Sequence, residues 1–387
     1  MNSSHDRLID AVIHAWERDG AAGVSARAIA RDAAIPVSSI YHHFGDMDGL
    51  LLRAGEVALG RATRWFDAQS HELAGMFGDP TAFAHLLSAV IDDWCERQRP
   101  LAYAWREIQS LAMRDPRHGG AAGAWWTMAF EFWRPVCDRF GIGDLTGSVV
   151  LTFDEESSLH LIRWRRLIDR AALSELCGTW AGWAGGRTGI DAPWRTLAMR
   201  EALAGQPVAP GQDAVTEDIA DAAARTVAQR GVSGLTHRAV AEEAGQTLGI
   251  VSNRFRSSAD LLRAACYALY RQIVRPFGES DTPIDLIAGA QDRGGDDLAL
   301  RAFFELTLAA SREPALQPFA AQLRYLRGRT SIRHLRAISP ADREPSVADG
   351  ALLSTLFSSQ NRIRLAGVDL PGIDQGVEAM LARLSKR

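Results

Sequence analysis

The chain has 387 residues, 47% of them hydrophobic and 23% charged, which is enough for two or three domains with their own cores and excludes a disordered or fibrous protein. Its formal net charge is −4, so no overall basic excess points to a polyanionic partner, and any such case must rest on where individual charges stand. No stretch approaches the roughly 18 unbroken apolar residues of a membrane span, and MNSSHDRLIDAV has neither a basic start nor an apolar run, so a cytoplasmic protein without membrane contact is expected.

In chain order, Leu8, Ala11, Ala15 and Trp16 recur at helical spacing up to Gly20, a residue suited to a helix stop. A second helix should begin after Ser25, whose hydroxyl can accept from the free N–H groups of its first turn. After ARAIARDAA comes a turn at Ala34-Ile35-Pro36, then a third short helix ending at Phe44. Ile29, Ala33, Ile40, Phe44, Leu50 and Leu51 form the apolar side, leaving Val37, Ser38, Ser39, Tyr41 and His42 outward. Two short helices across a tight turn, braced by a helix before them, make a helix-turn-helix, whose second helix fits the DNA major groove. Small polar groups there suit base edges, while Tyr41, His43 and Arg27 can reach phosphates.

The remainder to residue 203 reads as further helices, followed by the Gly- and Pro-rich linker AGQPVAPGQDAV at 204–215. The chain then repeats itself. Phe44 pairs with Phe255 at an offset of 211 residues, with Gly20/Gly231, Arg27/Arg238, Ala33/Ala244, Leu50/Leu261 and Leu51/Leu262 in register. Further on, REIQSLAMRDP at 106–116 faces FELTLAASREP at 304–314, pairing Glu107 with Glu305 and Arg114 with Arg312 at an offset of 198. The whole first half is therefore duplicated, which sets the architecture. Thr236 replaces Ser25 as the expected cap, and Arg238, Thr247, Leu248, Gly249, Ser252, Asn253, Arg254 and Arg256 become the second outward set.

Ala33, Ser39, Ile40, Tyr41, His43, Phe44, Asp48 and Leu50, and again Ala244, Gly245, Thr247, Gly249, Val251, Phe255 and Leu261, resemble the helix-turn-helix pattern of the TetR family of transcriptional regulators. The departures are Ala34 at the turn glycine, and Ser252 and Arg254 where the family has tyrosine and histidine. The resemblance implies an all-α chain of two TetR-like copies, each a three-helix reader (1–55 and 216–265) followed by a helical effector and assembly domain (56–203 and 266–387). It implies a ligand-responsive regulator, a repressor by family habit, with double-stranded DNA as partner. Fusing what is normally a homodimer suggests a monomeric pseudo-dimer, and because the two outward faces differ, its operator need not be symmetric. A protein-interaction or sensor role with one or both readers degenerate is the alternative.

All eleven tryptophans precede residue 200. Trp94, Trp105, Trp126, Trp133 and Trp164, with Phe130, fall on helices that in the TetR family enclose a ligand, and aromatic walls suit an aromatic or hydrophobic small molecule oriented by Glu107 or His160. A packed aromatic core is the competing reading. SSLHLIRWRRLIDRAALSELCGTWAGWA and its counterpart near the C-terminus should supply the last two helices of each copy and pack as a four-helix interface. No Walker loop, GxSxG, HExxH or CxxC occurs, so neither catalysis nor a cofactor is expected. Metal is not expected either: His42 and His43 diverge on a helix, and Cys95, Cys137, Cys177 and Cys266 share no metal-like spacing and suit buried positions.

Overall fold

The computed structural model describes residues 3–20, 24–205, 213–274, 294–329, 331–338 and 344–385; most of the expected linker, and Lys386, lie outside the described residues. Helices α1 (Ser4–Arg18), α2 (Ala26–Asp32) and α3 (Ser38–Phe44) form the first reader. Ser25 caps α2 by accepting from the Ala28 N–H at 3.3 Å. Leu8, Val12, Trp16, Ile29 and Ile40 are fully buried where the three helices meet. Helices α11 (Ala214–Arg230), α12 (His237–Glu243) and α13 (Leu248–Arg254) repeat the arrangement, with Thr236 accepting from Ala239 at 3.2 Å.

The turn between α2 and α3 keeps the geometry that a glycine would serve. Ala34 has φ +52°, the one positive value at a non-glycine among the described residues, and Gly245 has +62° at the matching place. Pro36 has not reshaped the turn. Because a Cβ in the left-handed region costs about 1–2 kcal/mol, Ala34→Gly should stabilise the protein by roughly 0.5–1 kcal/mol after the added freedom of the unfolded chain is subtracted. Denaturant unfolding reads this directly, and a loss of stability would show that Ala34 is unstrained.

The first body comprises α4 (Met47–Glu72), α5 (Pro80–Arg97), α6 (Arg99–Arg114), α7 (Gly119–Arg139), α8 (Thr146–His160), α9 (Arg166–Ala184) and α10 (Pro193–Ala204). The second comprises α14 (Ser258–Val274), α15 (Gly294–Ala310), α16 (Ala320–Tyr325), α17 (Ser331–Ile338), α18 (Val347–Leu365) and α19 (Ile373–Ser385). The fold is all-α, with no strand among the described residues. Leu50, Ala54, Ala58, Ala62 and Phe66 line one buried face of α4, so reader and body share a helix and the boundary expected at residue 55 falls inside it.

Helices α8 and α9 pack on α18 and α19, the four-helix arrangement expected between the copies. The centre of this seam is charged rather than apolar. Asp154 and Glu155 of α8 are fully buried, and Glu156 nearly so. Arg362 of α18 donates to Asp154 at 2.8 Å and to Glu155 at 2.5 Å. Arg106 adds a 2.6 Å bond to Asp154, and Arg327 pairs with Glu155. Ser359 donates to Asp154 at 2.7 Å and Thr355 to Glu156 at 2.8 Å. Burial opposes charge on Asp154, but Arg106 and Arg362 hold its pKa down to about 2.

Candidate nucleic-acid interface and effector core

On α3, Ser38, Tyr41, His42 and His43 are exposed, with Tyr41 showing 53% of its surface. Val37 departs from the expected outward position: it is half-buried, packed on the apolar core, because it precedes α3 at its N-cap and turns toward the interior. Ser39 is half-buried as well. The ring of His43 stands 6.2 Å from that of His5 on α1, and His42 lies edge-on to His43 at 5.1 Å. No group of three or more metal-type side chains occurs among the described residues.

The second reader presents Leu248, Gly249, Ser252, Asn253, Arg254 and Arg256. Two of its expected contacts have local duties. Thr247 accepts from the Ile250 N–H at 3.3 Å and so caps α13. Arg254 donates to Thr216 at 3.1 Å and to Asp213 at 3.4 Å, tying α13 to the start of α11, because its long fork reaches what His43 in the first copy meets only by ring contact. Asn253 and Ser252 are left as the polar groups free to meet base edges. Arg27, Arg238 and Arg256 are exposed and in no ion pair among the described residues, which leaves them available to phosphates.

The N-terminal domain of the tetR family of bacterial regulatory proteins matches residues 8–54 and again 219–265. Two TetR-family domains stand in tandem in this chain. The matched segments are the two helix-turn-helix units and the first turns of α4 and α14. Among characterised relatives, the HTH-type transcriptional regulator BetI of Paraburkholderia phytofirmans is 29% identical over 111 residues, covering 28% of this chain and 55% of the relative. BetI of Burkholderia lata is 28% identical over 111 residues with the same coverage. The chain thus spans about half the length of the curated relatives it matches.

Behind the first TetR-type reader, the expected effector residues divide into two groups. Trp94, Trp105, Trp126 and Trp133 are fully buried. The rings of Trp94, Trp105 and Trp133 surround Phe153 at 6.4, 5.9 and 5.8 Å, and Trp105 stacks on Trp125 at 5.7 Å. This is dense aromatic packing, yet the indole N–H groups of Trp94, Trp105, Trp126 and Trp133 have no hydrogen-bond partner among the described residues. Four buried donors without acceptors are unusual, since buried polar groups normally find partners. Phe130 is half-buried, its ring within 3.3 Å of the site a Cβ on Gly372 would occupy.

Trp164, Glu107 and His160 stand apart from that cluster. Trp164 meets Tyr325 at 5.6 Å, and Glu107 is paired with Arg312 at 2.5 Å. His160 Nδ1 lies 2.7 Å from an Arg324 N–H, which can only donate, so Nδ1 accepts and Nε2–H donates to Asp92 at 2.9 Å. Arg324 and the seam carboxylates stand outside the residues that the sequence pattern marks; the three successive acids Asp154, Glu155 and Glu156 within one helix are the available signal. All four cysteines are buried and free, and burial pushes the Cys95 and Cys137 thiols up to about 12, which leaves them unreactive.

Burial, with Arg324 beside the ring, lowers the His160 pKa from 6.5 to about 4. As pH falls through that window the unfolded chain takes up a proton that the folded chain refuses. Stability should therefore be complete above about pH 6.5 and decrease by roughly 3 kcal/mol toward pH 4. His160→Gln keeps a donor and an acceptor without titrating. The variant should lose that part of the pH slope, and an unchanged slope would show that His160 is not its source.

Proposed function

We propose that this chain is a ligand-responsive, sequence-specific DNA-binding transcriptional regulator, a repressor that carries both halves of a dimer in one polypeptide. The observation that carries the reading is a pair of TetR-family domains whose third helices expose different groups, Ser38, Tyr41 and His42 against Gly249, Ser252 and Asn253. Two unlike readers in one chain suit an operator with unlike half-sites. The charges of the seam support pairing between copies of one chain: α8 contributes Asp154, Glu155 and Glu156 and no arginine, while α18 contributes Arg362. Two first copies facing each other would bury like charges together. The orphan indole donors support a ligand with acceptor atoms among flat or apolar parts, held by Trp94, Trp105, Trp126 and Trp133.

Selection of bound fragments from genomic DNA, followed by footprinting across a salt series, tests the reading; affinity falling steeply with salt marks a DNA reader. On the footprinted site, Tyr41→Phe should weaken binding severalfold at every sequence if its hydroxyl meets phosphate, whereas Asn253→Ala should cost about 1–3 kcal/mol and relax preference in one half-site only. Equal loss of discrimination in both halves would refute distinct readers. Binding that ignores salt and sequence would leave a protein-interaction role.

A further inference from the structure

The repeat pairs Glu107 with Glu305 and Arg114 with Arg312, and folding crosses these pairs between the copies. Arg312 of the second copy donates to Glu107 of the first at 2.5 Å, and Arg114 of the first pairs with Glu305 of the second. Each guanidinium then reaches the end of the first helix of the opposite reader. Arg312 donates to the Trp16 carbonyl in the last turn of α1, and a Cβ on Gly20 would stand 2.7 Å from its Cζ. Likewise a Cβ on Gly231, which ends α11, would stand 2.7 Å from Arg114 Nη1. Arginine suits this place twice over. It satisfies a carbonyl that α1 leaves free, and its charge lies at the negative end of the helix. Arg312 also lies over the Tyr103 ring at 4.9 Å, and the Tyr103 hydroxyl meets the Ser311 hydroxyl at 2.9 Å, so the crossing is held from both sides.

We propose that Arg312 and Arg114 are reciprocal positioning residues, each fixing the opposite copy's reader to the body, so that α6 and α15 jointly set the placement of α3 relative to α13. Glu107 lies on α6 two residues beyond Trp105 of the aromatic cluster, so a displacement of α6 reaches the first reader through Arg312. The consequence for DNA rests on the reading of α3 and α13 as DNA readers; the brace itself does not.

The signature is crossed. In peptide-resolved hydrogen exchange on the full chain, Arg312→Gln should speed exchange about tenfold in residues 4–20 and leave 213–231 unchanged, while Arg114→Gln should do the reverse. Acceleration of the reader in the same copy, of both readers equally, or of neither would overturn the proposal. If a glutamine variant unfolds globally, Arg312→Lys, which retains charge without the fork, should show the same pattern at smaller amplitude, and a uniform rise across the chain would overturn it. On duplexes with the footprinted half-sites moved apart by one base pair, the wild type should discriminate and Arg312→Gln should tolerate the change, lowering the affinity ratio severalfold. An unaltered ratio contradicts the brace, whereas failure of the wild type to bind any DNA removes the DNA reading and leaves the exchange pattern to decide.

Discussion

Asp154→Ala should destabilise the protein by about 3–5 kcal/mol, the usual penalty for removing one partner from a buried ionic network. Asp154 accepts from Arg106, Gln109, Ser359 and Arg362 at 2.6 to 2.8 Å, so alanine would leave the buried Arg106 guanidinium without a carboxylate, Arg362 sharing Glu155 with Arg327, and two neutral donors without an acceptor. Urea unfolding reads the loss as a shift in midpoint. The folded pKa of about 2 lies below the ordinary 3.8, so this contribution is present above about pH 3.8 and disappears as pH falls toward 2. If the seam joins two copies of one chain, the midpoint should not depend on protein concentration, as it would for separate subunits. A loss below 1 kcal/mol would mean that water or local rearrangement replaces the lost acceptor. A midpoint that rises with concentration would count against the single-chain pseudo-dimer.

The same residues show what was legible in the sequence. Both readers were, because a helix-turn-helix is specified locally: Leu8, Ala11, Ala15 and Trp16 recur at helical spacing, Ser25 and Thr236 cap, and the turn requires the conformation that Gly245 supplies and Ala34 endures. The repeat was legible for the same reason, since two copies of a local pattern align without knowledge of the fold. The function of Arg362 was not. Its partner Asp154 lies 208 residues away, and nothing in the residues around either one names the other.

Glu107 and His160 illustrate a related limit. Each is a polar residue in an apolar helix near tryptophans, a pattern that fits a ligand-orienting group and a buried ion pair equally well. Folding decides between them by bringing Arg312 to Glu107, and Arg324 and Asp92 to His160. Arg114 and Arg312 were visible as an aligned pair, but alignment within a repeat shows equivalence and says nothing of contact. Only the crossing of α6 and α15 shows that each arginine serves the other copy.

An effector that binds the first body should bind once per chain and quench tryptophan emission, because every tryptophan lies in that copy. Its occupancy can change DNA affinity only through different affinities for the DNA-competent and incompetent arrangements, and couplings of about 1–3 kcal/mol correspond to roughly 5–150-fold. Trp133→Phe separates this from simple packing. The substitution keeps most of the ring contact with Phe153 and Phe132 and removes one indole N–H that has no acceptor among the described residues. An unsatisfied buried donor costs about 1–3 kcal/mol, so the variant should be no less stable than the wild type. If the donor serves a ligand, effector affinity measured by calorimetry should nevertheless fall about tenfold, the loss of one good hydrogen bond. Unchanged affinity and response, with stability raised, would identify the cluster as core. Two equivalent sites per chain would instead place an effector in the second copy too, where no tryptophan can report it, and would make the tryptophan asymmetry a difference in packing alone.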